Sequence, residues 1–224
     1  MQKLEILPLI QENQFLFQSS SDLVPRISFP FRPEDSKIIL LSGPLHAGKT
    51  SFLRQLGGEL EGVKIYIDFE DSRIKGSDND SLKIIEEIVS EICREEAEKS
   101  EAKKVYYFLD EVQNIPGWEK WVDSLHRQGA GIFLASSNLA LPDERVSSGF
   151  EGKIKLLKLF PFSFKEYLLL KGTRIPKPEF LTPSRCDEML CMFLQYFENG
   201  GFPAVIGTGD IRLVQKYFEE ILRK

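Results

Sequence analysis

Residues Gly43 to Thr50 read Gly-Pro-Leu-His-Ala-Gly-Lys-Thr, which fits the spacing G-x-x-x-x-G-K-[ST]. Small residues in such a loop let backbone N–H groups curl closely round a phosphate, and the positive end of a following helix adds to the attraction. Lys49, read as an exposed cation, supplies a point charge for β- and γ-phosphate oxygens, and the Thr50 hydroxyl is suited to ligate Mg2+. The predicted binding set is Gly43, Pro44, Leu45, His46, Ala47, Gly48, Lys49, Thr50 and Ser51. A plain glycine-rich turn satisfies the same letters. The flanks argue against it, because an apolar run over residues 38–41 leads in and the helical pattern Ser51-Phe-Leu-Arg-Gln-Leu leads out.

A second group lies about 60 residues further on, where the apolar run Val105-Tyr-Tyr-Phe-Leu ends in Asp110 and Glu111. Asp110 is predicted to hold a Mg2+-bound water and Glu111 to polarise the water that attacks a γ-phosphate. Two acids at a solvated strand end look the same, so they gain their weight from the loop. A third group, Ser136 and Ser137 with Asn138, follows the run Ile132-Phe-Leu-Ala and is predicted to sense the terminal phosphate, with a simple turn or cap as the alternative. The predicted catalytic set is thus Glu111, Lys49, Ser136 and Ser137, and the metal set Thr50 and Asp110. His46 reads as an exposed loop residue or a phosphate-side donor. Glu70, Asp71 and Arg73 follow an apolar run at an edge where ligands bind in open α/β folds, or form a solvated turn. Trp118 and Trp121, and Phe160, Phe162, Phe164 and Tyr167, read as core.

The elements that must hold these groups alternate. Strands are expected at 38–41, 63–68, 105–110, 131–135 and 153–159, and helices at 49–60, 81–100 and 118–127, with a short helical piece near Pro142 to Ser148. This succession predicts a parallel sheet covered by helices on both faces. From Pro161 onward only helices are expected, at 163–171, 183–197 and 210–223, capped by Ser163, Ser184 and Asp210. The expected division is a nucleotide-binding domain over 1–160 and, over 161–224, a helical lid or connector or the start of a C-terminal domain. Loops are expected at 75–80, 171–178 and 199–203.

Composition bounds the function further. With 224 residues, 42% apolar and 28% charged, the chain is of ordinary globular type. Its net charge of −5 gives nucleic acid no general attraction, and only the stretch after residue 150 has a small positive balance. Cys93, Cys186 and Cys191 show no C-x-x-C spacing and only His46 and His126 accompany them, so no zinc cluster is expected. Reduced thiols and a cytoplasmic location fit this usage best. Residues 1–17 mix Glu5, Gln11 and Glu12 among apolar residues and do not read as a signal peptide, and no apolar run nears the roughly 20 residues that cross a bilayer.

Together these segments resemble the AAA-type P-loop ATPases of bacteria and archaea that usually carry a C-terminal domain of unknown function. The resemblance covers about residues 38–206 and rests on Gly43 to Thr50, Tyr66-Ile-Asp-Phe-Glu-Asp-Ser-Arg, Leu109-Asp-Glu-Val-Gln-Asn-Ile-Pro-Gly-Trp-Glu-Lys, Ala135-Ser-Ser-Asn-Leu, Leu159-Phe-Pro-Phe-Ser-Phe-Lys-Glu-Tyr-Leu and Gly200-Gly-Phe-Pro. It implies an α/β P-loop NTPase fold, with an AAA-like five-stranded parallel sheet ordered 2-3-4-1-5, flanked by helices and followed by a small helical segment. It also implies Asp110 and Glu111 as metal and catalytic acids and Ser136 or Ser137 as sensor. The chain departs from the family at Leu45 and His46, where basic or Gln residues are usual, at Ala135, where Gly is usual, and at Lys153, where Arg is usual. The last leaves open whether Lys153 replaces an arginine finger. The expected function is Mg2+-dependent ATP hydrolysis driving a conformational change, with a protein partner or second copy of the chain. The alternatives are a nucleotide-gated switch with negligible turnover and a DNA-associated regulator.

Overall fold

The computed structural model describes residues 3–18, 26, 38–74, 79–99, 104–138, 150, 152–175, 177, 179 and 181–222. Five strands, β1 (Ile38–Ser42), β2 (Val63–Asp68), β3 (Val105–Asp110), β4 (Gly131–Ser136) and β5 (Ile154–Lys158), form one sheet in the order β2-β3-β4-β1-β5. Every pairing is parallel, with Leu40 opposite Leu134 and Leu156, and Leu109 opposite Ile67. The predicted order and strand positions hold.

Side chains alternate across a strand, so each strand feeds two cores. Ile38, Leu40, Ile65, Ile67, Leu109 and Leu134 face one way, toward α1 (Lys3–Gln18), α3 (Asn79–Lys99) and α4 (Trp118–Arg127). Ile39, Leu41, Tyr66, Phe108, Phe133 and Ala135 face the other, against α2 (Lys49–Gly58), which contributes Phe52, Leu53 and Leu56. Strands buried on both faces read as continuous apolar runs, which is why the sequence located them well.

Helix α1 was not expected. It packs Ile6, Leu9 and Ile10 into the first core, while Phe17 stacks on Tyr66 in the second, with ring centroids 4.7 Å apart. Its Gln14 side chain accepts from the Tyr66 N–H at 2.9 Å and donates to the Lys64 carbonyl. The open edge of β2 is thereby occupied, as an exposed sheet edge requires.

Beyond the sheet come α5 (Phe164–Leu170), α6 (Pro183–Asn199), α7 (Pro203–Thr208) and α8 (Arg212–Leu222). Ser163 caps α5 in a reciprocal box with Glu166, as its type predicts. The α6 cap is Thr182 and not Ser184, because Pro183 takes the first helical position, where its missing N–H costs nothing. Asp210 accepts from the Arg212 N–H just ahead of α8, and α7 was not anticipated. Trp118, Trp121, Phe162 and Tyr167 are buried as expected, and Phe164 is partly buried. Phe160 is 64% exposed and is not core, because it lies in the turn leaving β5. The helical piece expected near Pro142 to Ser148 and most of the loop expected at 75–80 lie outside the described residues. No described helix is long and apolar enough to cross a membrane.

Candidate functional site

The C-terminal ends of β1, β3 and β4 bring the three predicted groups together. Where β1 ends, the Gly43 N–H donates to the Ser136 carbonyl at 3.4 Å and the Leu159 N–H to the Ser42 carbonyl at 2.8 Å. A Cβ at Gly43 would stand 2.0 Å from the Leu159 carbonyl oxygen, so only glycine leaves the sheet here. The loop then turns through two residues in the left-handed region, His46 (φ 61) and Gly48 (φ 90). Helix α2 begins at Lys49 with no side-chain cap and no acid in its first turn, so its first N–H groups face the loop.

Lys49 is not the exposed cation the sequence suggested. It is 5% exposed, and its Nζ donates to the carbonyls of Gly43 and Pro44, each at 3.1 Å, and lies 3.5 Å from Glu111 Oε1. An ammonium losing water must gain such partners. Thr50 Oγ1 donates to Asp110 Oδ2 at 2.5 Å, and the Tyr66 hydroxyl donates to the same oxygen at 3.3 Å. Glu111 adopts a left-handed backbone (φ 49) and accepts at Oε2 from the Ser137 N–H at 3.0 Å, the Ser137 hydroxyl at 2.7 Å and Gln113 Nε2 at 2.5 Å.

The two neighbouring acids differ electrostatically. Burial, opposed by the Thr50 hydroxyl and reinforced by Glu111 and Asp68, pushes Asp110 up to about 6. Burial also acts upward on Glu111, but Lys49, Gln113 and Ser137 together outweigh it and hold the carboxyl below its ordinary value. Burial raises Asp68 as well.

Of the two serines, Ser137 meets Glu111, whereas Ser136 is fully buried and its Oγ accepts from the Asn138 N–H at 3.1 Å. Leu45, His46, Gly48, Lys49, Thr50, Ser51, Asp68, Glu70, Asp110 and Glu111 line one cleft of about 550 Å³, closed on one side by Pro203 and Ala204. Glu70 accepts from Asn114, and Asp71 and Arg73 pair with each other. Lys153 stands at the opposite end of the sheet, before the Ile38–Ile154 pair, with its Nζ 2.7 Å from Asp123 Oδ1.

The sequence did not reveal four residues that shape the loop and its acids. The Arg26 guanidinium donates to the Ala47 carbonyl, pairs with Glu166 at 3.5 Å and lies 4.2 Å over the Phe162 ring. Gln113 holds Glu111. Tyr217 stacks on His46 with centroids 3.7 Å apart, and Glu220 Oε2 lies 2.6 Å from His46 Nε2. Apart from Gln113, two residues from Glu111, these contacts span 21 to 174 residues of sequence, and local patterning carries no signal for them.

The sequence profile of the AAA domain family matches residues 35–168. An uncharacterized protein of Methanocaldococcus jannaschii is 28% identical over 188 residues, covering 84% of this chain and 40% of its own length. An uncharacterized protein of Haemophilus influenzae is 27% identical over 179 residues, covering 75% of this chain and 40% of its own. The chain therefore spans about 40% of the length of these curated relatives. Among solved structures, the Thermotoga maritima RuvB Holliday junction branch migration motor is similar at a TM-score of 0.46 and 17% identity, over 80% of this chain and 53% of that one. The Walker-type ATPase of Pyrococcus abyssi is similar at 0.44 and 16%, over 99% and 75%. With a profile match running through the loop, both acids, the two serines and the start of the helical segment, the chain belongs to the AAA domain family.

Proposed function

We propose that the protein binds MgATP in the cleft around residues 43–51 and hydrolyses it by in-line attack of water on the γ-phosphate. The observation that carries this reading is the convergence of a buried ammonium, a hydroxyl–carboxylate pair and a second, low-pKa carboxylate on one cleft beside an uncapped helix N-terminus. Backbone N–H groups of the loop and of α2 are suited to phosphate oxygens, and Lys49 would exchange the Gly43 and Pro44 carbonyls for them. The donor set of Thr50 and Asp110 fits Mg2+, a hard cation that keeps several waters and binds through one or two protein oxygens plus substrate phosphates. When bound, Mg2+ supplies positive charge to the β- and γ-phosphate oxygens.

Glu111 is the proposed general base, charged at neutral pH, with Ser137 fixing its orientation and acting as the sensor. Ser136 contributes through the turn at Asn138. The proposed nucleotide-binding domain is residues 1–160, and the helices of 161–224, packed in two small cores of their own around Tyr167 and Phe202, are the proposed lid. A nucleotide-gated switch with negligible turnover is the second reading, favoured by the three hydrogen bonds that already occupy Glu111 Oε2. Steady-state phosphate release separates the two. For the hydrolase, Glu111→Gln should bind MgATP within about twofold of wild type and lose on the order of 10² or more in turnover. Equal rates in both proteins would remove the general-base role.

A further inference from the structure

His46 bears a Cβ in a backbone region that disfavours one, at φ 61, in the middle of the phosphate loop. A non-glycine residue persists there only when its surroundings hold it. Left-handed residues in such a loop turn successive N–H groups toward one point, forming an anion-binding nest. The surroundings that hold His46 come from the far end of the chain. The Tyr217 ring stacks on the imidazole at 3.7 Å and 17°, and the imidazole Nε2–H donates to Glu220 Oε2 at 2.6 Å. Tyr217 and Glu220 stand three residues apart, on one face of α8, and Lys216 lies 3.8 Å from Glu220. Tyr217 is itself fixed in the small core with Phe202 and Val205, next to the Pro203 and Ala204 that close the cleft.

We propose that Tyr217 and Glu220 are positioning residues of the phosphate loop, holding His46 in its left-handed conformation so that docking of α8 and the anion-binding shape of the loop are one linked equilibrium. This rests on the nucleotide-binding reading and adds to it a site of control, since anything that lifts α8 releases the loop. Relaxation of a strained residue before binding must be reversed on binding, so loss of the stack weakens phosphate affinity on the order of tenfold. Glycine at position 46 carries no such strain, and α8 then has nothing to hold.

The test combines calorimetric titration with MgADP and hydrogen exchange of the nucleotide-free protein. Tyr217→Leu should weaken MgADP about tenfold and Glu220→Gln by a smaller factor, whereas Tyr217→Phe, which keeps the ring, should match wild type. In a His46→Gly background the Tyr217→Leu penalty should fall below about twofold. Without nucleotide, amides of residues 45–48 should exchange faster in Tyr217→Leu than in wild type. An equal penalty in both backgrounds, or unchanged exchange at 45–48, overturns the proposal. Failure of wild type to bind MgADP would instead overturn the nucleotide-binding reading, and the exchange comparison would still decide whether α8 shapes the loop.

Discussion

At the scale of single residues, Asp110 makes the most specific claim about pH. Its carboxyl is held at about 6 in the folded chain, above its ordinary value near 3.8, chiefly by burial. The folded state therefore retains a proton that the unfolded chain releases between about pH 4 and 6, and stability falls as pH rises through that window. The difference corresponds to at most about 3 kcal/mol. Asp110→Asn should accordingly raise the melting temperature of the nucleotide-free protein at pH 7.5 and change it little at pH 4, while weakening the Mg2+ dependence of nucleotide binding. Thermal melts across pH check the first part, and a lower melting temperature at pH 7.5 would contradict it. Most residues of the site were legible because Gly43 to Thr50 and Asp110-Glu111 are short strings whose chemistry is local. The burial of Lys49 was not, because it depends on Glu111 arriving from the end of β3.

At the scale of elements, the departure from β1 and the start of α5 give two separate predictions. Gly43→Ala forces a Cβ against the Leu159 backbone, which cannot yield without moving the end of β1 or the turn after β5. It should cost about 1–3 kcal/mol of stability and lose nucleotide affinity, as read by denaturant titration and calorimetry. Ser163→Ala removes the reciprocal cap of α5 and should cost about 1 kcal/mol without changing nucleotide affinity more than about twofold. Strands β1 and β3 were read from the sequence nearly to the residue, because burial on both faces leaves apolar runs bounded by turns, whereas the edge strand β5 showed itself by its alternating lysines and apolar residues. Helix α1 was missed because Pro8 interrupts it and its placement depends on the edge of β2, which no local pattern announces. Helix α7, at six residues, is too short to display a period.

At the scale of the whole molecule, the phosphate loop is tied from two sides by chain segments remote in sequence. Arg26 joins the Ala47 carbonyl to Glu166 and Phe162, and α8 joins His46. Arg26 and Glu166 side chains are 5% and 7% exposed, so Arg26→Ala would leave a buried carboxylate with its Ser163 hydrogen bonds and no counter-charge. It should cost about 3 kcal/mol, measured by denaturant unfolding. The account depends most directly on the loop binding a nucleotide through Lys49. Calorimetric titration with MgATP, comparing wild type with Lys49→Ala proteins of matching circular dichroism, tests that claim. The prediction is saturable one-to-one binding by wild type and its loss in Lys49→Ala. Unaltered affinity in a folded Lys49→Ala protein, or no binding by wild type, would contradict it.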